Sequence, residues 1–328
     1  MHKSESKNNL TVIIPVYNSQ TTIGRCCESL FGQTLDSIQY IFINDGSVDD
    51  SLVYILKALD FFPNRKKDVI IIDRKENRGV AYSRQQGLAR ASGEYVIHCD
   101  SDDWVEKDMY ESLYNAARRS SADIACCGFY VDTPDGGVPN LPGTDYHMEF
   151  NIAPIFGSLC NKMVRREVIT QNGIGFYENI NWGEDFMMSI QCQILAKKIV
   201  VVNRPLYHYV QNAQSITHSL TQNKCVELIQ CGIQMEQFLR EHNLLEKYAF
   251  DLNYLKFQLK QYLIIIPEIY SPNEWKKCFP ECHKDIMKYE SPLYLRVSSW
   301  MIAHHFTPVA SIILNLRVLI NHCRIKKV

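Results

Sequence analysis

Asp100, Ser101, Asp102 and Asp103 stand together directly after an apolar run ending Ile97, His98, Cys99 and directly before Trp104. Asp100 and Asp102 are two apart, so in a chain still extended both carboxylates point to one side and can share one cation. A hard divalent ion such as Mg²⁺ or Mn²⁺ takes carboxylate oxygens and fills its other positions with phosphate oxygens and water. Without the ion these acids repel a diphosphate. With it they hold one and neutralise the charge that develops as it leaves. A solvated turn is the plainer use of the same residues.

Two further apolar runs also end in polar residues, the first in Pro15, Val16, Tyr17, Asn18 and the second in Asn44, Asp45, Gly46, Ser47. Asn-Asp-Gly-Ser is a turn sequence, and a carboxylate there can also accept from the imide N–H of uracil. Arg84 lies on the predicted helix that leads to the acidic cluster. It could equally be a surface helix arginine. Asn181, Trp182, Gly183, Glu184 and Asp185 put adjacent acids at a predicted helix start, where the helix dipole favours them in any case. A carboxylate there can take the proton from an attacking hydroxyl, and Trp182 can stack on a sugar ring.

The elements that must position these residues follow from periodicity. From Leu10 to Val131 short β-rich runs (10–16, 40–43, 69–72, 95–99 and 123–131) alternate with helix-compatible stretches (22–31, 49–59 and 80–91). That alternation predicts a parallel sheet with crossover helices, and ligands of such sheets bind at the carboxyl ends of the strands. Asn18 or Ser19, and Ser47, stand where N-caps are expected. Residues 133–143 hold three prolines and three glycines and read as a long surface loop. A helix is expected near Glu184 and a strand over 199–202. Beyond Thr217, Cys225, Leu228, Gly232, Met235 and Leu239, then Leu244, Tyr248, Leu252, Leu255 and Leu259, follow helical spacing. The division expected is residues 1–217 and a helical module, 218–328.

At 328 residues, 46% hydrophobic and 22% charged, the composition is that of a globular protein. A formal charge of -1 and a pI near 6.8 provide no global field for gathering nucleic acid. Residues 1–9 are polar and lack a secretory pattern, which points to the cytoplasm. There the twelve cysteines stay reduced; Cys26, Cys27, Cys99, Cys126 and Cys127 sit in apolar runs as small hydrophobes. Cys278, Cys282 and His283 lack a second ligand pair at zinc-finger spacing. The candidate helix 309–320, followed by Arg324, Lys326 and Lys327, is too short and polar to span a bilayer. It fits either the membrane interface, at the inner face, or the module's own core.

Taken in order, the motifs resemble glycosyltransferase family 2, inverting enzymes with the GT-A fold. They are Val12-Ile-Ile-Pro-Val-Tyr-Asn18, Glu28-Ser-Leu-Phe-Gly-Gln-Thr34, Ile43-Asn-Asp-Gly-Ser47, Glu76-Asn-Arg-Gly79 and Ser83-Arg-Gln-Gln-Gly-Leu88. Ala91-Ser-Gly-Glu-Tyr95, Asp100-Ser-Asp-Asp103, Asn161-Lys162 and Gly183-Glu-Asp185 complete the set. The resemblance covers residues 10–217. It implies a Rossmann-like, mostly parallel α/β sheet and an enzyme that moves a sugar from a nucleotide-diphosphate sugar, a UDP-sugar first, to a hydroxyl of a glycan or lipid-linked glycan. Cell-surface polysaccharide synthesis is the setting it implies. Nucleotide contacts would fall on Pro15, Tyr17, Asn18, Asp45, Arg84 and Asp100, the divalent cation on Asp102 and Asp100, and the base on Asp185. Trp182, Glu184 and Lys162 are candidates for acceptor or sugar contacts. Two positions depart from the family pattern, Gln86 in place of asparagine and His208 in place of an aromatic; the latter reads as a third metal ligand or a packed histidine. Rival readings are a non-catalytic nucleotide-sugar binding module and a nucleotidyltransferase.

Overall fold

The computed structural model describes residues 8–142, 157–211 and 221–314. The chain divides between Ser215 and Ile216 into two units.

The first unit is built on one sheet. Its strands are β1 (Asn8–Val16), β2 (Ile38–Asp45), β3 (Val69–Arg74), β4 (Gly93–His98), β5 (Trp104–Val105), β6 (Ile124–Thr133), β7 (Gly136–Asn140), β8 (Lys162–Arg165) and β9 (Ile199–Val210). They lie in the order β3-β2-β1-β4-β8-β6-β9-β5, with β7 added on β6. β1, β2, β3 and β4 are parallel, in a register that sets Val12 between Tyr40 and Ile97. Leu10, Val12, Ile13 and Ile14 are fully buried, because helices cover both faces of a parallel sheet and its strands then read as continuous apolar runs. The intervening helices are α1 (Ile23–Phe31), α2 (Ser51–Phe61) and α3 (Val80–Ala89). α3 lies close on the sheet because Gly87 has no side chain; a Cβ there would meet Ile13 and Ile43.

β8 enters antiparallel between β4 and β6 (Tyr95 with Arg165, Ala125 with Met163). β6 then runs parallel to β9, and β5 pairs antiparallel with β9 through Trp104 and His208. The helices of this half are α4 (Met109–Ser120), α5 (Arg166–Gln171) and α6 (Glu184–Leu195).

Three expectations are corrected. Of the long loop expected over 133–143, the described residues to 142 contain a hairpin: β7 folds back on β6, with Thr133 opposite Gly136 and Phe129 opposite Asn140. β7 is an exposed edge strand, where proline costs no ladder bond it would otherwise donate, and Gly136 turns the chain at a φ of 126°. The N-caps are Thr22 and Asp50, because Asn18, Ser19 and Ser47 are engaged between loops. Asn18 Oδ1 accepts from Val48 N at 3.0 Å, and Asn18 N donates to Ser47 Oγ at 3.0 Å. Leu244 and Tyr248 precede their helix instead of lying in it.

The second unit is helical: α7 (Gln222–Glu241), α8 (Ala249–Lys260), α9 (Tyr262–Ile265), α10 (Pro272–Lys277) and α11 (Leu293–Ala303), then a turn and α12 over residues 307–314. The predicted apolar positions Cys225, Leu228, Met235, Leu239, Leu252, Leu255 and Leu259 are buried. Cys278 and His283 surround an ammonium: Lys260 Nζ lies 2.7 Å from Cys278 O and 2.6 Å from His283 Nε2. The expected helix 309–320 is described as far as Leu314; Asn315 onward lies outside the described residues. Among the described residues no helix is long and apolar enough to cross a membrane.

Candidate active site

Three adjacent strands, β2, β1 and β4, deliver the predicted polar ends to one edge of the sheet. At the end of β1, Pro15 is partly exposed, Tyr17 is 49% exposed and Asn18 adopts a positive φ of 49° while holding the loop that follows β2. At the end of β2, Asp45 is buried, and its Oδ1 accepts from the Arg74 guanidinium and from Arg78 N at 2.8 Å. Its Oδ2 accepts from Gly79 N at 2.9 Å. A carboxylate has about four acceptor positions, so one on Oδ2 is left over. The same loop is clamped from above: Arg78 lies 3.5 Å and Arg74 4.8 Å from the Tyr82 ring centre. Gln86 also turns to Tyr82, donating to its hydroxyl at 3.2 Å.

After β4 the chain does not stay extended. Asp103 N donates to Asp100 O at 3.2 Å, so a turn, and not strand alternation, brings Asp100 and Asp102 together. Asp103 anchors the turn: buried, it accepts from the Tyr207 hydroxyl and from Val210 N at 2.8 Å. Burial and Asp102 push its carboxyl well above the usual range. Burial first, and Asp100 second, push Asp102 up to about 6, against a weaker pull from Arg25.

Arg84 joins this cluster to the second acidic motif. From α3 it donates to Asp100 Oδ1 at 2.7 Å and to Glu184 Oε1 at 2.9 Å, and it is 4% exposed. Burial works against its charge, but Asp100 and Glu184 outweigh burial and hold it protonated. Glu184 and Asp185 open α6. Asp185 is partly exposed; its Oδ1 accepts from Phe186 N at 2.7 Å, and its carboxyl is raised by burial against the opposing pull of Arg84. Trp182 is partly exposed beside them.

Two candidates for sugar contact lie inside the protein. Glu184 is buried on Arg84. Lys162 is 1% exposed and donates to Ser158 O at 2.8 Å and Asn161 Oδ1 at 2.9 Å. Burial pushes its ammonium down to about 8, with Asp185 among the groups that resist the shift. Both side chains are largely buried.

His208 is neither a simple core histidine nor part of a three-residue metal cluster; among the described residues no such cluster of His, Cys, Asp or Glu exists. Its ring is stacked between Trp104 (3.4 Å between centres, 15°) and Tyr130 (4.6 Å, 21°). Nδ1 faces Asp132 at 3.0 Å and Nε2 faces Glu106 at 3.2 Å. Trp104 Nε1 also donates to Asp132, at 3.0 Å. These groups line a cleft of about 660 Å³ between the β6–β7 hairpin, β5 and β9. Sequence reasoning missed Tyr130 and Asp132. They stand two apart on β6, but only the pairing of β6 and β5 with β9 brings them to His208 and Trp104, so the sequence carried no clear signal.

This arrangement gathers paired carboxylates, a buried arginine and a further carboxylate, Asp185, at the carboxyl ends of the strands, the residue types that cation binding and proton transfer require. A model of the family described as glycosyl transferase family 2 matches residues 11–173. A Bacillus subtilis (strain 168) protein named as a glycosyltransferase, EpsH, is 29% identical over 81% of this chain and 77% of its own length. The cholesterol galactosyltransferase of Borreliella burgdorferi is 33% identical over 66% of this chain, which spans 63% of that relative. Among solved structures, residues 1–349 of TarS from S. aureus, crystallised with UDP-GlcNAc, superpose with a TM-score of 0.67 at 19% identity, covering 93% of this chain and 88% of that one.

Proposed function

The chain belongs to glycosyltransferase family 2, and from that premise we propose that it transfers a sugar from a UDP-sugar to a hydroxyl of a glycan or lipid-linked glycan in cell-surface polysaccharide assembly. The observation that carries the reading is the Arg84 bridge, which ties the Asp100–Asp102 turn to the helix that starts with Glu184 and Asp185. In this reading Pro15, Tyr17 and Asn18 flank the nucleotide. The remaining acceptor position on Asp45 Oδ2 takes the imide N–H of uracil. The UDP-GlcNAc held by TarS supports the choice of nucleotide.

The residues at the turn suit a divalent cation. Burial raises Asp102 and Asp100 adds to the rise, so two carboxylates share a partly buried turn where a cation would offset both effects. Mg²⁺ takes one or two protein carboxylates and completes its shell with phosphate oxygens and water. A bound Mg²⁺ or Mn²⁺ on Asp102 and Asp100 would screen the diphosphate as it departs. Arg84, fixed by two carboxylates, holds the Asp100 side of the site in place. Asp185, its carboxyl raised and therefore more basic than a free aspartate, takes the proton from the acceptor hydroxyl as it attacks the anomeric carbon. Positioning and charge then supply most of the rate enhancement, as expected for a direct displacement.

Work at the cytoplasmic face of a membrane fits the second unit. Trp300, Phe306, Val309 and Ile312 are 40%, 55%, 47% and 59% exposed, an apolar set suited to the lipid interface.

The test is donor binding across UDP-, GDP- and dTDP-sugars, with Mn²⁺ and with chelator. The expected result is metal-dependent selection of a UDP-sugar that is lost in Asp102→Ala. Asp185→Asn should lower transfer by about 10²–10⁴-fold while donor affinity changes little. Selection of another nucleotide, or pyrophosphate release from a nucleoside triphosphate, overturns the reading.

A further inference from the structure

We propose that the cleft between the β6–β7 hairpin, β5 and β9 is the acceptor subsite, and that it takes a neutral sugar ring in preference to a phosphate-bearing polyol. The inference rests on the glycosyl-transfer reading and adds the chemical class of the acceptor.

Position is the first argument. Along the sheet edge the order is β2, β1, β4, β8, β6, β9, β5. The proposed nucleotide contacts lie at β2 and β1, and the carboxylate turn lies at β4. Arg84 ties that turn to Glu184, the neighbour of Asp185 at the start of α6. The cleft comes next, over β6, β9 and β5. In a direct displacement the attacking hydroxyl approaches the anomeric carbon from the side opposite the leaving group. In this proposal the cleft lies on that side, with the acceptor hydroxyl reaching Asp185 from it. It is also continuous with the carboxylate turn: Arg25 lines it and reaches Asp102 O at 3.5 Å, while Val210, another lining residue, donates to Asp103.

Chemistry is the second argument. A sugar ring presents C–H faces and hydroxyl donors. The stack of Trp104, His208 and Tyr130 supplies aromatic surface, and Asp132 and Glu106 supply acceptors beside it. Both His208 nitrogens are turned to those two carboxylates, so the imidazole offers no donor to a ligand. Among the described residues Arg25 is the cleft's one lysine or arginine, and it lies over Trp104 at 5.9 Å. A phosphate entering here meets two carboxylates and one arginine already engaged with an aromatic face. The volume, about 660 Å³, lies within the roughly 300–1,000 Å³ of small-ligand sites.

The experiment uses the full chain with Mn²⁺ and the UDP-sugar selected above. Methyl β-D-glucoside, methyl β-D-galactoside and chitobiose are titrated against ribitol 5-phosphate and a glycerol-phosphate dimer, followed by saturation-transfer NMR. A photoreactive form of the tightest-binding probe is then cross-linked to the wild-type chain. At least one neutral glycoside should bind tenfold or more tighter than either phosphate, and its label should fall on Trp104, Tyr130 or Gln211. Trp104→Leu should weaken that glycoside at least tenfold, with donor affinity as the control for folding. Tighter binding of a phosphate, no binding of any neutral glycoside to the donor-loaded enzyme, or a label at Trp182 overturns the proposal. Failure of the wild type to bind any UDP-sugar sinks the transfer reading itself, and this inference with it.

Discussion

Arg84 is one side chain with two obligations, to Asp100 and to Glu184, and it meets both from a buried position. Arg84→Met should therefore destabilise the fold by about 3–5 kcal/mol, the usual result of leaving buried charge without its partner; urea unfolding reads it, and a loss under 1 kcal/mol would show that the bridge holds nothing together. His98 is a different case. It is buried, both ring nitrogens lack a hydrogen-bond partner among the described residues, and burial with Arg84 nearby holds its pKa well below 6.5. The folded state refuses a proton that the unfolded chain accepts, so stability falls as pH drops below about 6.5. His98→Leu should flatten the melting-temperature profile below that pH and raise stability by about 1–3 kcal/mol. Asp45, Asp100, Asp102 and Arg84 were legible in the sequence because each stands just past a strand or on the helix feeding one. The inward turn of Glu184 was not, since it depends on an arginine from α3, and that of Lys162 depends on how Ser158 and Asn161 just before it are folded.

At the level of elements, the loop from Glu76 to Gly79 shows how a turn can be specified from a distance. Gly79 has a φ of 90°, its N–H is held by Asp45, and a Cβ there would run into Asn181, whose Oδ1 accepts from Ala81 N at 3.2 Å. Gly79→Ala should cost about 1–3 kcal/mol for the backbone conformation and also push away the segment leading to Asp185. Thermal melts should show the first effect, and a drop in transfer larger than the drop in donor affinity should show the second. Strand runs such as residues 10–16 could be read directly, since burial on both faces leaves an unbroken apolar string. The β6–β7 hairpin could not: its prolines and glycines have the composition of a loop, and only the neighbouring strand makes an edge strand of them. N-caps failed for a related reason, as Asn18 and Ser47 bond to each other's loops across the sheet edge.

For the whole molecule, the change of character near residue 217 and the structural division after Ser215 both mark the start of a helical unit. Helical spacing identified its inner face, and the residues left outside, Trp300 and Phe306 among them, were legible only by what the core did not take. Trp300→Glu with Phe306→Glu should reduce sedimentation with anionic lipid vesicles about tenfold or more while leaving donor binding in solution intact; equal sedimentation of the two proteins would detach the second unit from any membrane role.

β8 joins two halves of the sheet that are made at different times. During synthesis β1 to β4 leave the ribosome first and can pair with one another, yet β4 then presents a full row of unpaired N–H and C=O groups until Lys162–Arg165 arrives. An open, apolar strand edge invites pairing with another chain. Chains stopped before β8 should therefore self-associate, while chains extended through Val210, with β4 covered, should stay dispersed, a difference that light scattering of the two fragments would reveal.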